Sequence, residues 1–89
     1  MKEADIEKKV SLYAKNLGWL CFKFVSPSHR GVPDRIYFKR GKTLLIEFKA
    51  LGKVPTLLQS SIIQKLLDEN IPTFVIDNVE DGKKLFKLY

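Results

Sequence analysis

Apolar side chains at Ile6, Val10, Tyr13, Ala14 and Leu17 recur at helical spacing, and Gly18 follows them as a natural stop. The spacing predicts a helix over residues 3–17. Residues 19–25 are rich in aromatic and β-branched side chains and read as a strand. Two prolines and a glycine then mark residues 26–33 as a loop. A second strand over 34–39 and a third over 43–49 flank Arg40-Gly41-Lys42, the pattern of a tight hairpin turn. Gly52 and Pro55 mark the next loop. Thr56 to Asn70 reads as a helix whose opening, Thr56-Leu57-Leu58-Gln59, fits a capping box. A fourth strand over 72–77 and a short helix from Val79 to about Phe86 close the chain.

The order is α-β-β-β-α-β-α. The third strand, the helix after it and the fourth strand form a β-α-β unit, which places those two strands parallel. The expectation is an α/β fold with a mixed four-stranded sheet flanked by helices. A length of 89 residues predicts one domain, residues 1–89, with a modest core that a dimer would enlarge.

Charge changes the picture through its arrangement. The formal net charge is +6. Between residues 8 and 67 there are twelve lysines and arginines but only two acids, Asp34 and Glu47. A basic surface of this kind favours a polyanionic partner. Two isolated carboxylates would repel phosphate unless a cation sat between, and a divalent metal is such a cation. A single cysteine, Cys21, excludes an internal disulfide and a cysteine-built zinc site, and points to a reducing compartment such as the cytoplasm. No apolar run approaches the roughly 20 residues of a membrane span.

Glu47 and Lys49 are two apart on a strand, so they leave the same face roughly 6–7 Å apart. Pairing of the two hairpin strands brings Asp34 beside them. Two carboxylates supply hard oxygen ligands for magnesium or manganese, and a lysine beside them can orient a water or stabilise developing charge. Taken alone, Glu-x-Lys is also the pattern of an ordinary surface ion pair. Its isolation in sixty residues favours the metal. Glu3 lies about 36° from the centre of the first helix's apolar stripe, and Glu7 about 76°. Glu3 therefore faces the sheet, either as a first-turn acid favoured by the helix dipole or as a third carboxylate of the site. Gln59 shares a face with Ile62, Ile63 and Leu66; it serves the capping box, the site, or both. Ser26, Ser28, His29 and Arg30, in the loop before Asp34, are candidate phosphate contacts, with Arg35, Lys42 and Lys53. Trp19 and the phenylalanines are assigned to the core.

Gly31-Val32-Pro33-Asp34, then Ile46-Glu47-Phe48-Lys49, resembles the PD-(D/E)xK nuclease signature. With Glu3 and Ile6 before it and Gln59 after it, the pattern resembles the virus-type replication-repair nuclease (VRR-NUC) group over nearly the whole chain. The resemblance implies a restriction-endonuclease-like core. It implies magnesium- or manganese-dependent hydrolysis of DNA leaving a 5′-phosphate and a 3′-hydroxyl. Asp34 and Glu47 would be metal ligands, Lys49 would assist the water, and Glu3 and Gln59 would complete the site, Glu3 also as a ligand. Short stand-alone members, mostly of phage and bacteria, are similar to structure-specific endonucleases acting on branched DNA such as four-way (Holliday) junctions. Paired cuts would need a homodimer, with Leu12 and residues 85–89 as candidate contacts. The rival expectations are a non-catalytic DNA-binding module of the same fold and a basic RNA-binding protein without a metal requirement.

Overall fold

The computed structural model describes all 89 residues, with elements in the expected order. They are α1 (Glu3–Asn16), β1 (Leu20–Lys23), β2 (Arg35–Lys39), β3 (Lys42–Phe48), α2 (Leu57–Asp68), β4 (Thr73–Ile76) and α3 (Val79–Leu88). The strands form one sheet in the order β1-β2-β3-β4. The first three are antiparallel neighbours, and β3 pairs with β4 in parallel. The fold is therefore α/β with a mixed four-stranded sheet.

The two faces of the sheet are unequally covered. Alternation along β3 sends Leu44, Ile46 and Phe48 to one side, where they join Tyr37, Trp19 and Ile76. Against this face pack Ile6, Val10 and Ala14 of α1 with Leu85 and Phe86 of α3. The ring of Phe86 meets Trp19 and Tyr37 edge-on, with centroids 5.3 and 4.8 Å away. Ser11, buried on the same helix, bonds the Tyr37 hydroxyl at 2.9 Å, so the polar group under α1 is satisfied. The two helices touch closely at Gly82, where a Cβ would fall 2.5 Å from a Val10 methyl. Leu17, expected on the apolar stripe, is 38% exposed because the helix ends before it.

On the other face α2 runs beside β4, with Gln59 reaching across to Glu47 of β3, and none of its residues is fully buried. The sheet beyond it stays open over β1 and β2. Leu20 and Phe22 are 60% and 53% exposed there, and Phe22 leans on Phe38 with centroids 6.3 Å apart. The assignment of Trp19 and the phenylalanines to the core thus fails at Phe22 and at its neighbour Phe38, which stand outside the core cluster. The strand of Phe22 is an edge strand with no helix over that side. No helix is long and apolar enough to cross a membrane.

Candidate active site

Asp34 is positioned by the loop in front of it. Pro33 is fully buried, and Gly31 holds a left-handed φ of +87°. A Cβ at Gly31 would lie 3.0 Å from Leu58 Cγ and 3.2 Å from the Leu58 carbonyl oxygen. The Gly31-Val32-Pro33 segment therefore lies directly against the first turn of α2, as only a glycine allows. Chain direction then delivers Asp34 to the mouth of β2. The β2–β3 register pairs Arg35 with Ile46, so Asp34 stands opposite Glu47. The Phe48 N–H donates to Asp34 Oδ2 at 2.8 Å and fixes the carboxylate across the end of the hairpin.

Glu47 is 2% exposed, an unusual place for a carboxylate. Its Oε2 accepts from Gln59 Nε2 at 2.9 Å and lies 3.4 Å from Lys49 Nζ. Its Oε1 is buried with no hydrogen-bond partner. Burial pushes the Glu47 carboxyl up to about 7; the charges of Asp34 and Glu3 add to this and Lys49 opposes it. Asp34 is also raised, first by burial, against the Phe48 hydrogen bond. Glu3, on the first turn of α1, is raised by burial and then by Asp34. Three acids thus share one corner of the molecule with too little positive charge among them.

The donor set fits a hard divalent cation. Each of Asp34 and Glu47 has one oxygen held by the protein, and Glu47 keeps a buried oxygen that nothing satisfies. No three carboxylates, imidazoles or thiolates converge tightly enough to enclose an ion by themselves. Glu3 accordingly flanks the Asp34–Glu47 pair rather than completing a cage with it.

Gln59 joins both roles open to it: it closes the Thr56 capping box and bonds Glu47. The structure disperses the candidate phosphate contacts. Ser28, His29 and Arg30 are exposed in the loop before Asp34, with Ser26 half-buried, and Ser28 Oγ lies 3.2 Å from His29 Nδ1. Arg35 is engaged by Glu7, with Nε 2.6 Å from Glu7 Oε2. Lys53 is exposed in the loop after β3. Lys42 sits at the far end of β3, about 17 Å along the strand from Glu47, and donates to the Tyr89 carbonyl at 2.7 Å. The Glu7–Arg35 pair is a feature that the apolar stripe of α1 does not predict. Its signal was Glu7 one helical turn after Glu3, and Arg35 one residue after Asp34.

Known proteins bear on this geometry in three ways. No family model matches the chain. A solved structure described as a VRR_NUC domain superposes with a TM-score of 0.91 at 23% identity, covering 100% of this chain and 98% of the other. "Putative nuclease p44" of Acyrthosiphon pisum secondary endosymbiont phage 1 is 42% identical over 60 residues. That match takes in 66% of this chain and 64% of the phage protein's length. This chain therefore has the fold of that VRR_NUC domain.

Proposed function

We propose that this chain is a metal-dependent DNA endonuclease whose reacting centre is Asp34, Glu47 and Lys49. The observation that carries the reading is the buried, unpartnered Oε1 of Glu47 beside a second carboxylate. An isolated protein gains nothing by burying one acid beside another, but a bound cation converts that cost into affinity. The fold and the phage relative's name support the same reaction class. Magnesium or manganese would be held by Asp34 and Glu47, with Glu3 at their side. Bound there, it would neutralise phosphate charge and make a water more acidic.

The chain's own groups do the rest. Gln59 fixes which Glu47 oxygen is engaged by the protein and which is left free. Lys49 Nζ, steadied by Glu47, directs a water at the phosphorus and counters the negative charge that builds on the phosphoryl oxygens. The water gives up a proton to solvent as its oxygen bonds to phosphorus and the bond to the 3′-oxygen breaks. The products are a 5′-phosphate and, after protonation, a 3′-hydroxyl. The basic surface suits a phosphate backbone, which the nuclease reading takes to be DNA, and the lone free Cys21 suits a reducing cytoplasm, in a bacterium or a phage-infected host.

Branched DNA, such as a four-way junction, is the proposed substrate, and a homodimer the acting form. One chain offers one such centre, whereas resolving a junction takes two symmetric cuts. A second copy would pack on the open apolar face at Leu20, Phe22 and Phe38. Leu85 and Phe86 are unavailable for this, since both lie in the chain's own core. The test is incubation with labelled linear, flap and four-way DNA, with and without magnesium or manganese. Cleavage should need the metal and vanish in Asp34→Ala and Glu47→Ala; cleavage unchanged in the double variant would remove the assignment.

A further inference from the structure

We infer that the groove between α1 and β1 carries the sugar–phosphate backbone of the DNA arm that leads into the carboxylate site. The inference rests on the nuclease reading for its ligand, but its geometry is independent of it. The groove measures about 410 Å³ and is lined by Lys8 and Lys15 from α1, Lys23 from β1 and Arg35 from β2, together with Glu7, Ser11 and Leu12 of α1. Four cations thus face one carboxylate. Glu7 is already matched by Arg35 at 2.6 Å, and the Ser11 hydroxyl by Tyr37. Lys8, Lys15 and Lys23 form no salt bridge and no side-chain hydrogen bond. Three unmatched ammonium groups around one concavity repel one another and gain only from an external anion.

Spacing selects the anion. Lys8 and Lys15 are seven residues apart, so they share a face of α1 and stand about 10.5 Å apart along it. That span is about three base steps of one B-DNA strand at 3.4 Å each. Lys23 stands across the groove in register with Arg35. No aromatic ring lines the groove, so it offers phosphate contacts rather than base stacking. Its inner end is the Glu7–Arg35 pair, one helical turn from Glu3 and one residue from Asp34. A strand lying along α1 therefore meets the carboxylates at the end of its path. The lysines at the hairpin end differ: Lys39 and Lys42 donate to the backbone carbonyls of Leu17 and Tyr89.

The experiment measures binding of a short DNA duplex to the Asp34→Ala protein in chelator, across a range of salt. Neither metal nor cleavage enters the readout. Lys8→Ala/Lys15→Ala/Lys23→Ala should weaken binding about tenfold or more and cut the slope of log K against log salt by about 2–3. A charge-matched control, Lys65→Ala/Lys84→Ala/Lys87→Ala, should leave the slope near that of the parent. Lys8→Arg/Lys15→Arg/Lys23→Arg should restore it, and circular dichroism checks that each variant is folded. Equal losses in groove and control variants, an unchanged slope, or no duplex binding by the parent would overturn the groove. Groove-dependent binding by a protein that never cleaves with any metal would uphold the groove and remove the nuclease reading.

Discussion

The Gln59 amide is committed in two directions: its Oε1 accepts from the Thr56 N–H at 2.9 Å, and its Nε2 donates to Glu47 Oε2 at 2.9 Å. The start of α2 and the orientation of a buried carboxylate are therefore one device. Gln59→Glu keeps an acceptor for the Thr56 N–H but sets a carboxylate against Glu47. We expect it to retain the helix and lose cleavage by about 10–100-fold, the usual cost of removing a group that orients a ligand. Thr56→Ala is its complement. It should cost about 1 kcal/mol of stability through the lost cap and leave much more activity. Thermal melts and single-turnover rates on the same samples separate the two effects.

Lys49 and Lys53 should differ in kind. Lys49 is mostly buried and 3.4 Å from Glu47, whereas Lys53 is exposed in the loop beyond. Lys49→Ala should lower the rate at saturating DNA by about 10²–10³-fold, as loss of a transition-state contact does. Lys53→Ala should weaken binding and reduce its salt slope by about one contact while sparing the saturated rate. Identical behaviour of the two variants would make Lys49 a phosphate contact only.

Much of this site was legible in the sequence because strand geometry is strict. Glu47 and Lys49 must share a face, and a hairpin turn at Arg40-Gly41-Lys42 brings Asp34 beside them; the structure takes Lys42 into β3 and narrows the turn to Arg40-Gly41, which sets Asp34 opposite Glu47. The capping box at Thr56 was legible for a similar reason, since its residue types and spacing are local. The exposure of Phe22 was not. Whether an aromatic on an edge strand is covered depends on where α2 lands, and α2 lands on β4. The Glu7–Arg35 pair was hidden because Glu7 lies off the apolar stripe, and its partner is 28 residues away. The buried state of Glu47 was likewise beyond periodicity, which gives a face but not the depth of the cover.

The metal-free protein should lose stability as pH rises through neutrality. The folded protein holds the Glu47 proton up to about 7, against an ordinary value of 4.5. A raised acid binds its proton more tightly in the folded state. Its stabilising contribution is complete below about 4.5 and lost as pH climbs through 7. Asp34, also raised, acts in the same direction. In chelator, the melting temperature should therefore fall between pH 5 and pH 8, and Glu47→Gln should flatten that fall. A parent and a Glu47→Gln variant with parallel curves would show that Glu47 titrates normally.

Gly31→Ala tests how the loop sets the site. The substitution meets two obstacles, a φ of +87° and the Leu58 carbonyl oxygen 3.2 Å away. The backbone term alone costs about 1–2 kcal/mol. The contact must push the first turn of α2 outward, taking Gln59 from Glu47. We expect lower stability together with a loss of activity that persists well below the melting temperature. Full activity at low temperature would show that the loop and α2 move independently.

Phe22 is the residue on which the dimer can be tested. It is 53% exposed beside Phe38 on the uncovered face of β1 and β2, with Leu20 60% exposed next to it. An isolated surface apolar residue needs no explanation, but adjacent ones on a flat sheet form a patch that water covers at a cost. A second copy related by a two-fold axis would bury the patch against itself and bring a second Asp34/Glu47/Lys49 centre into the same particle. Phe22→Glu leaves the core untouched, so the folded chain should persist with its melting temperature little changed at low concentration. It should place two like charges across the two-fold axis and drive the protein to a monomer in light scattering. On a supercoiled plasmid that extrudes a cruciform, the parent should give linear product within one binding event. The variant should give nicked circles first and linear product only by a second, independent encounter. A parent that scatters as a monomer, or a Phe22→Glu protein that remains dimeric and still cuts in pairs, would move the partner surface off this face.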